Sequence, residues 1–167
     1  KNQLALVEAF AHLLRNAQVP LQLYLVGGFT VADYKDKIQA RIRELGIEAF
    51  VNLTGKVDDD TLNALYCRSD LFVSLSKHEG FGMPLIEAMA HGLPVLAYDA
   101  PDSNVVHTLG NAGLLLDNAE PHEVAATIAQ IMENPALRRS MKRYGIERMN
   151  EFGYQRLYDR LSAFLAK

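Results

Sequence analysis

A chain of 167 residues, 49% hydrophobic and 22% charged, is long enough to bury one full core and has the balance of an ordinary globular domain. Its net charge of -3 argues against a nucleic-acid partner, and a single cysteine, Cys67, excludes an internal disulfide and any cysteine-rich metal site. No apolar run is long enough to span a bilayer, and nothing at the start reads as a signal peptide.

Leu4, Val7, Phe10, Ala11 and Leu14 recur at helical spacing and predict a first amphipathic helix. After Pro20, the apolar run from Leu21 to Val26 closes on Gly27-Gly28 and predicts a buried strand. Tyr34, Ile38, Ile42 and Leu45 mark a second helix that Gly46 terminates. A strand from Phe50 to Leu53 ends at Thr54-Gly55, and Asp58-Asp59-Asp60 caps a helix through Leu62, Leu65 and Tyr66. Further strands follow at Leu71 to Leu75, Pro94 to Tyr98 and Gly113 to Leu116. The remainder is helical: Val124, Ile128, Ile131 and Met132 share one face, Leu137, Met141 and Tyr144 another. A last helix uses Leu157, Tyr158, Leu161, Phe164 and Leu165. Short apolar strands alternating with helices predict an α/β domain, a doubly wound, Rossmann-like parallel sheet covered on both faces. In such sheets ligands lie at the carboxyl ends of the strands, where Gly27-Gly28, Gly55-Lys56-Val57 and Glu79 would converge.

The stretch from His78 to Ala90 carries the chemistry. Glu79 and Glu87 stand eight positions apart, with Gly80-Phe81-Gly82-Met83-Pro84 between them. The glycines allow a sharp turn with uncovered amides, and Pro84 suits the first turn of a helix. Free N–H groups at a helix N-terminus attract anions, because dipole and donors act together. Phosphate held there would be flanked by two carboxylates able to accept hydrogen bonds from hydroxyls, the pattern of a sugar–diphosphate–ribose. A β-branched residue at Gly82 is expected to block that approach with little loss of fold.

With these residues placed, the chain resembles the C-terminal, donor-binding domain of retaining GT-B glycosyltransferases of the group 1, E-x7-E type. The landmarks are Leu6-Val7-Glu8-Ala9-Phe10, Leu25-Val26-Gly27, Thr54-Gly55-Lys56-Val57, Ser69-Asp70-Leu71-Phe72-Val73 and Glu79-Gly80-Phe81-Gly82-Met83-Pro84. Glu87-Ala88-Met89-Ala90, Gly92-Leu93-Pro94-Val95 and Gly113-Leu114-Leu115 follow in the expected order. The resemblance implies one nucleotide-sugar-binding domain over 1–167, within a polysaccharide-building type of hexosyltransferase. Glu79, the catalytic candidate, would meet the hexose hydroxyls. Gly80 and the amides of Phe81, Gly82 and Met83 would hold sugar and diphosphate, and Glu87 would accept from the ribose. Backbone at Lys56 and Val57 would face the base, with Asp58 or Asp59 nearby, and Lys1 sits where the family places a diphosphate lysine. In the family the donor phosphate is thought to serve as base for the acceptor.

The same resemblance places an arginine, the strand carrying it and the whole acceptor-binding domain upstream of Lys1, so the chain alone is expected to bind nucleotide and transfer nothing. It implies no metal and no other cofactor. A cytoplasmic location is expected, with peripheral contact at the inner membrane face as the alternative. Plainer readings stand beside these. Glu79 and Glu87 would serve as helix-start acids, Asp58 to Asp60 as a cap, Lys1 as a solvated terminus, and His78 as a turn residue. His107 and His122 read as surface or cap residues, and Arg138, Arg139, Lys142, Arg143 and Arg148 as a solvated basic face. A nucleotide-sugar epimerase of the same fold and a non-catalytic binding module are the competing functions. A dehydrogenase fits least, since no strand leads into G-x-G-x-x-G.

Overall fold

The computed structural model describes residues 1–28 and 32–153. Helix α1 (Gln3–Asn16) turns Leu6, Val7, Phe10 and Ala11 inward, as the spacing requires. Strand β1 (Leu23–Val26) follows, then α2 (Ala32–Leu45). Gly46 ends α2 in a left-handed conformation, φ 65°, with the Ile47 N–H donating to the Ile42 carbonyl at 3.2 Å. Strand β2 (Val51–Gly55), α3 (Asp59–Arg68), β3 (Phe72–Ser74), α4 (Met83–Ala90) and β4 (Val95–Tyr98) alternate as predicted. The described chain closes with α5 (Val105–Leu109), β5 (Leu114–Leu116), α6 (Pro121–Glu133) and α7 (Pro135–Met149).

All strand pairs are parallel, in two ladders: β1 with β2, and β3–β4–β5. One apolar cluster lies under α1, α2 and α6, the other under α3, α4 and α5. Strand β4 feeds both, Leu96 joining the first while Val95 and Ala97 join the second. A strand buried on both faces is the mark of a doubly wound layer. The most extensive contact between elements is α1 against α6.

The unpaired edges of β1 and β3 face a common cavity of about 780 Å³, lined by every residue from 21 to 28 and from 69 to 75. The order is therefore β2-β1, cavity, β3-β4-β5. In the doubly wound order 3-2-1-4-5-6, the cavity falls at the place of the first strand.

Several boundaries differ from expectation. Phe50 belongs to a 3-10 turn (Glu48–Phe50) in which its N–H reaches the Ile47 carbonyl at 3.0 Å, so β2 starts one residue later. Leu21 and Gln22 precede β1, and Leu71, Leu75, Pro94 and Gly113 fall outside their strands. Helix α5 was not anticipated, because five residues are too few to show a period. The expected helix from Leu157 to Leu165 lies outside the described residues.

Candidate functional site

The residues that follow the strands border one opening. Gly27 and Gly28 after β1, Lys56 and Val57 after β2, Glu79 after β3, and Pro84 and Glu87 on α4 line the same cavity, together with Lys1. The backbone shapes its floor: Gly27 takes φ 118° and donates its N–H to the Gly55 carbonyl at 2.9 Å, tying the two strand ends together.

The glycine turn is anchored through its carbonyls. The Asn104 N–H donates to the Glu79 carbonyl at 3.0 Å, and the Thr108 hydroxyl donates to the Phe81 carbonyl at 2.7 Å. Thr108 is 2% exposed and sits on α5, so the anchor is buried. Gly82, φ 68° and ψ 48°, is the N-cap of α4 and its carbonyl accepts from the Leu85 N–H at 2.9 Å. With the carbonyls so engaged, none of the amides of Gly80, Phe81, Gly82 or Met83 has a protein acceptor among the described residues. Unpaired donors at a helix start supply the positive end of a dipole without any side chain. Gly80 to Met83 bridge the wall residues Glu79 and Pro84 and are not themselves part of the wall. The Phe81 ring turns outward, edge-on to Phe152 at 5.5 Å.

The two carboxylates differ in their partners. Glu79 Oε1 accepts from the Lys1 ammonium, with the Glu79 side chain 11% exposed and that of Lys1 59% exposed. Asn2 in a left-handed conformation, φ 61°, brings Lys1 round to it. Glu87 Oε2 instead accepts from the Tyr66 hydroxyl at 2.9 Å. Burial, then the hydrogen bond to Glu87, hold the Tyr66 hydroxyl above its ordinary pKa of 10.0.

Asp58 is the cap its sequence suggests: its Oδ1 accepts from the Thr61 N–H at 2.7 Å, which lowers its pKa. Asp59 lies exposed in the first turn of α3 and does not line the cavity. His78, His107 and His122 are exposed. The basic stretch divides. Arg138 caps the Ile131 and Met132 carbonyls at the end of α6, and Arg148 Nε donates to the Thr108 carbonyl at 3.1 Å. Arg139, Lys142 and Arg143 remain a solvated face. Among the described residues no helix is long and apolar enough to cross a membrane.

Tyr66, Asn104 and Thr108 were not read as site residues. Tyr66 showed only the helical spacing of a core residue, and the other two carried no signal at all.

The family model "Glycosyl transferases group 1" matches residues 1–148. The chain is 28% identical over 156 residues to O-antigen chain mannosyltransferase B of Escherichia coli, covering 93% of this chain and 40% of that protein. It is likewise 28% identical over 158 residues to a D-inositol 3-phosphate glycosyltransferase of Corynebacterium jeikeium, covering 93% and 38%. The crystal structure of Anabaena HepE in complex with UDP and glucose superposes with a TM-score of 0.83 at 25% identity, covering 100% of this chain and 45% of that one. The chain thus spans less than half the length of each of these proteins.

Proposed function

From the premise that this chain belongs to the group 1 glycosyl transferases, we propose that it is the donor-binding half of a retaining hexosyltransferase. The substrate is a nucleoside-diphosphate sugar, and the hexose passes to an acceptor hydroxyl bound elsewhere in the full protein. One observation carries the reading. Glu79 and Glu87 flank a turn whose amides have no protein acceptor among the described residues, and Glu79 is paired with Lys1.

In this reading the amides of Gly80 to Met83 receive the diphosphate, and their charge stabilisation of the leaving group is the main catalytic contribution of this half. Glu87 accepts from the ribose. Lys56 and Val57 present backbone to the base, with Asp59 exposed just beyond them at the start of α3. Lys1 and Glu79 act as a pair: an arriving diphosphate draws the ammonium to itself and frees the Glu79 carboxylate for the hexose hydroxyls. The reading needs no metal. The cavity between β1 and β3 supports a further strand, and with it the acceptor domain, being supplied by the rest of the protein. Alone, the chain binds nucleotide and transfers no sugar.

Calorimetric titration tests this, run in EDTA with UDP, GDP and ADP first and then with the matching sugar nucleotide. HepE, which was crystallised with UDP and glucose, makes UDP and UDP-glucose the first probes. Glu87→Ala should weaken nucleotide and sugar nucleotide alike, by about 1.5–3 kcal/mol, the worth of a hydrogen bond to a charged group. Glu79→Ala should cost a similar amount only when the sugar is attached. Equal losses for Glu79→Ala with both ligands would sink the division of roles, and sugar transfer by the 167-residue chain would sink the half-enzyme reading.

A further inference from the structure

Glu87 lines the cavity from the second turn of α4, on a side chain with three rotatable torsions. Left to itself, such a carboxylate samples many rotamers and must be ordered each time a ligand binds. Among the described residues its carboxylate has one hydrogen-bond partner, the Tyr66 hydroxyl, on Oε2. Tyr66 is itself fixed. It is 8% exposed, and its ring stacks on His91 at 5.0 Å and 21°, with Phe72 tilted against it at 6.1 Å. The His91 Nδ1 lies 2.8 Å from the Glu87 carbonyl, so the platform under the tyrosine is tied to the same turn of α4 as the glutamate. The tyrosine comes from α3 and the glutamate from α4, two helices that meet at the cavity.

We infer that Tyr66 is a positioning residue, whose hydroxyl holds the Glu87 carboxylate in the orientation that receives the ribose diol. The inference rests on the assignment of Glu87 to the ribose made above. Tyr66 occupies Oε2 and leaves Oε1 for the ligand, so the tyrosine need not touch the nucleotide. The phenol is a hydrogen-bond donor throughout the physiological range. A phenol whose only duty was to satisfy a buried oxygen would support the fold and nothing more. The two roles separate experimentally.

The test uses the 167-residue chain, UDP and 2′,3′-dideoxy-UDP, which keeps the base and diphosphate and lacks the diol. Wild type should prefer UDP. Tyr66→Phe, which retains the ring and its stacking, should weaken UDP by about two- to tenfold, the range that ordering one flexible side chain commands, and leave dideoxy-UDP unchanged. In a Glu87→Ala background the same substitution should have no effect on either ligand. Equal weakening of both ligands, together with a lowered melting temperature, would show a structural role and overturn the inference. So would a Tyr66→Phe variant that keeps the full wild-type preference for UDP. If wild type itself binds UDP without preferring it to the dideoxy form, the ribose assignment of Glu87 fails and this inference with it. Preference in wild type with no change in the variant overturns Tyr66 alone.

Discussion

Replacing Gly82 by alanine tests whether the turn is held by its backbone. At φ 68° an alanine adopts the left-handed region at a cost of about 1–2 kcal/mol. Its Cβ would also stand 2.8 Å from Leu85 Cδ1, and Leu85 is 1% exposed in the second apolar cluster. Displacing a packed δ-carbon adds roughly 1–3 kcal/mol. The total of about 2–5 kcal/mol lowers the melting temperature by roughly 4–20 °C in a domain of this size, and the variant still folds. This corrects the sequence-based expectation of a purely local effect on binding, because Leu85 could not be seen to lie against Gly82. Thermal unfolding by circular dichroism measures the cost, and calorimetry with UDP measures the loss of binding. A second variant apportions it: in a Leu85→Val background, which lacks the δ-carbon, Gly82→Ala should lose only the backbone share. A Gly82→Ala protein with unchanged melting temperature and UDP affinity would refute the reasoning.

Two further outcomes follow from the same region. Thr108→Val keeps the shape of a buried residue and leaves the Phe81 carbonyl without its donor; it should destabilise the domain by about 1–3 kcal/mol and weaken UDP binding through a looser turn, both read by urea unfolding and calorimetry. Tyr66 has a folded pKa above its ordinary 10.0, so its contribution to stability is fully present below that pH and is lost as the pH rises past it. Wild type should therefore lose urea stability between about pH 9 and about pH 11 by more than Tyr66→Phe does; identical losses would refute the raised Tyr66 pKa, whether from burial or from the hydrogen bond to Glu87.

The fold was legible because its signals are local. Apolar runs ending at Gly27-Gly28 and Thr54-Gly55 mark strands, Gly46 marks a helix end, and Asp58 marks a helix start, each readable within a few residues. The two carboxylates were legible for the same reason, since Glu79, the turn and Glu87 are contiguous. What stayed hidden depends on meetings between distant segments. Thr108 reaches back 27 positions to the Phe81 carbonyl, and Tyr66 reaches 21 forward to Glu87. Family resemblance assigned Lys1 to the diphosphate, and its pairing with Glu79, 78 positions away, was not anticipated. Asp59 shows the converse. It sits beside a true cap and carries the same charge, yet the geometry gives the cap to Asp58 and turns Asp59 to solvent.

The pairing of α1 with α6 bears on how the chain emerges during synthesis. Within these residues, helix α1 is made well before α6. At the usual elongation rate of about 5–20 residues per second, α1 waits roughly 5–25 s for the helix that covers it. During that interval Leu6, Val7 and Phe10 offer an apolar stripe with no permanent cover. Helix α2 emerges sooner and contacts α1 as well, so it can shelter part of the stripe in the meantime. The first cluster draws on both helices, so it is complete only once Val124, Ile128 and Ile131 have joined Leu6, Val7 and Phe10.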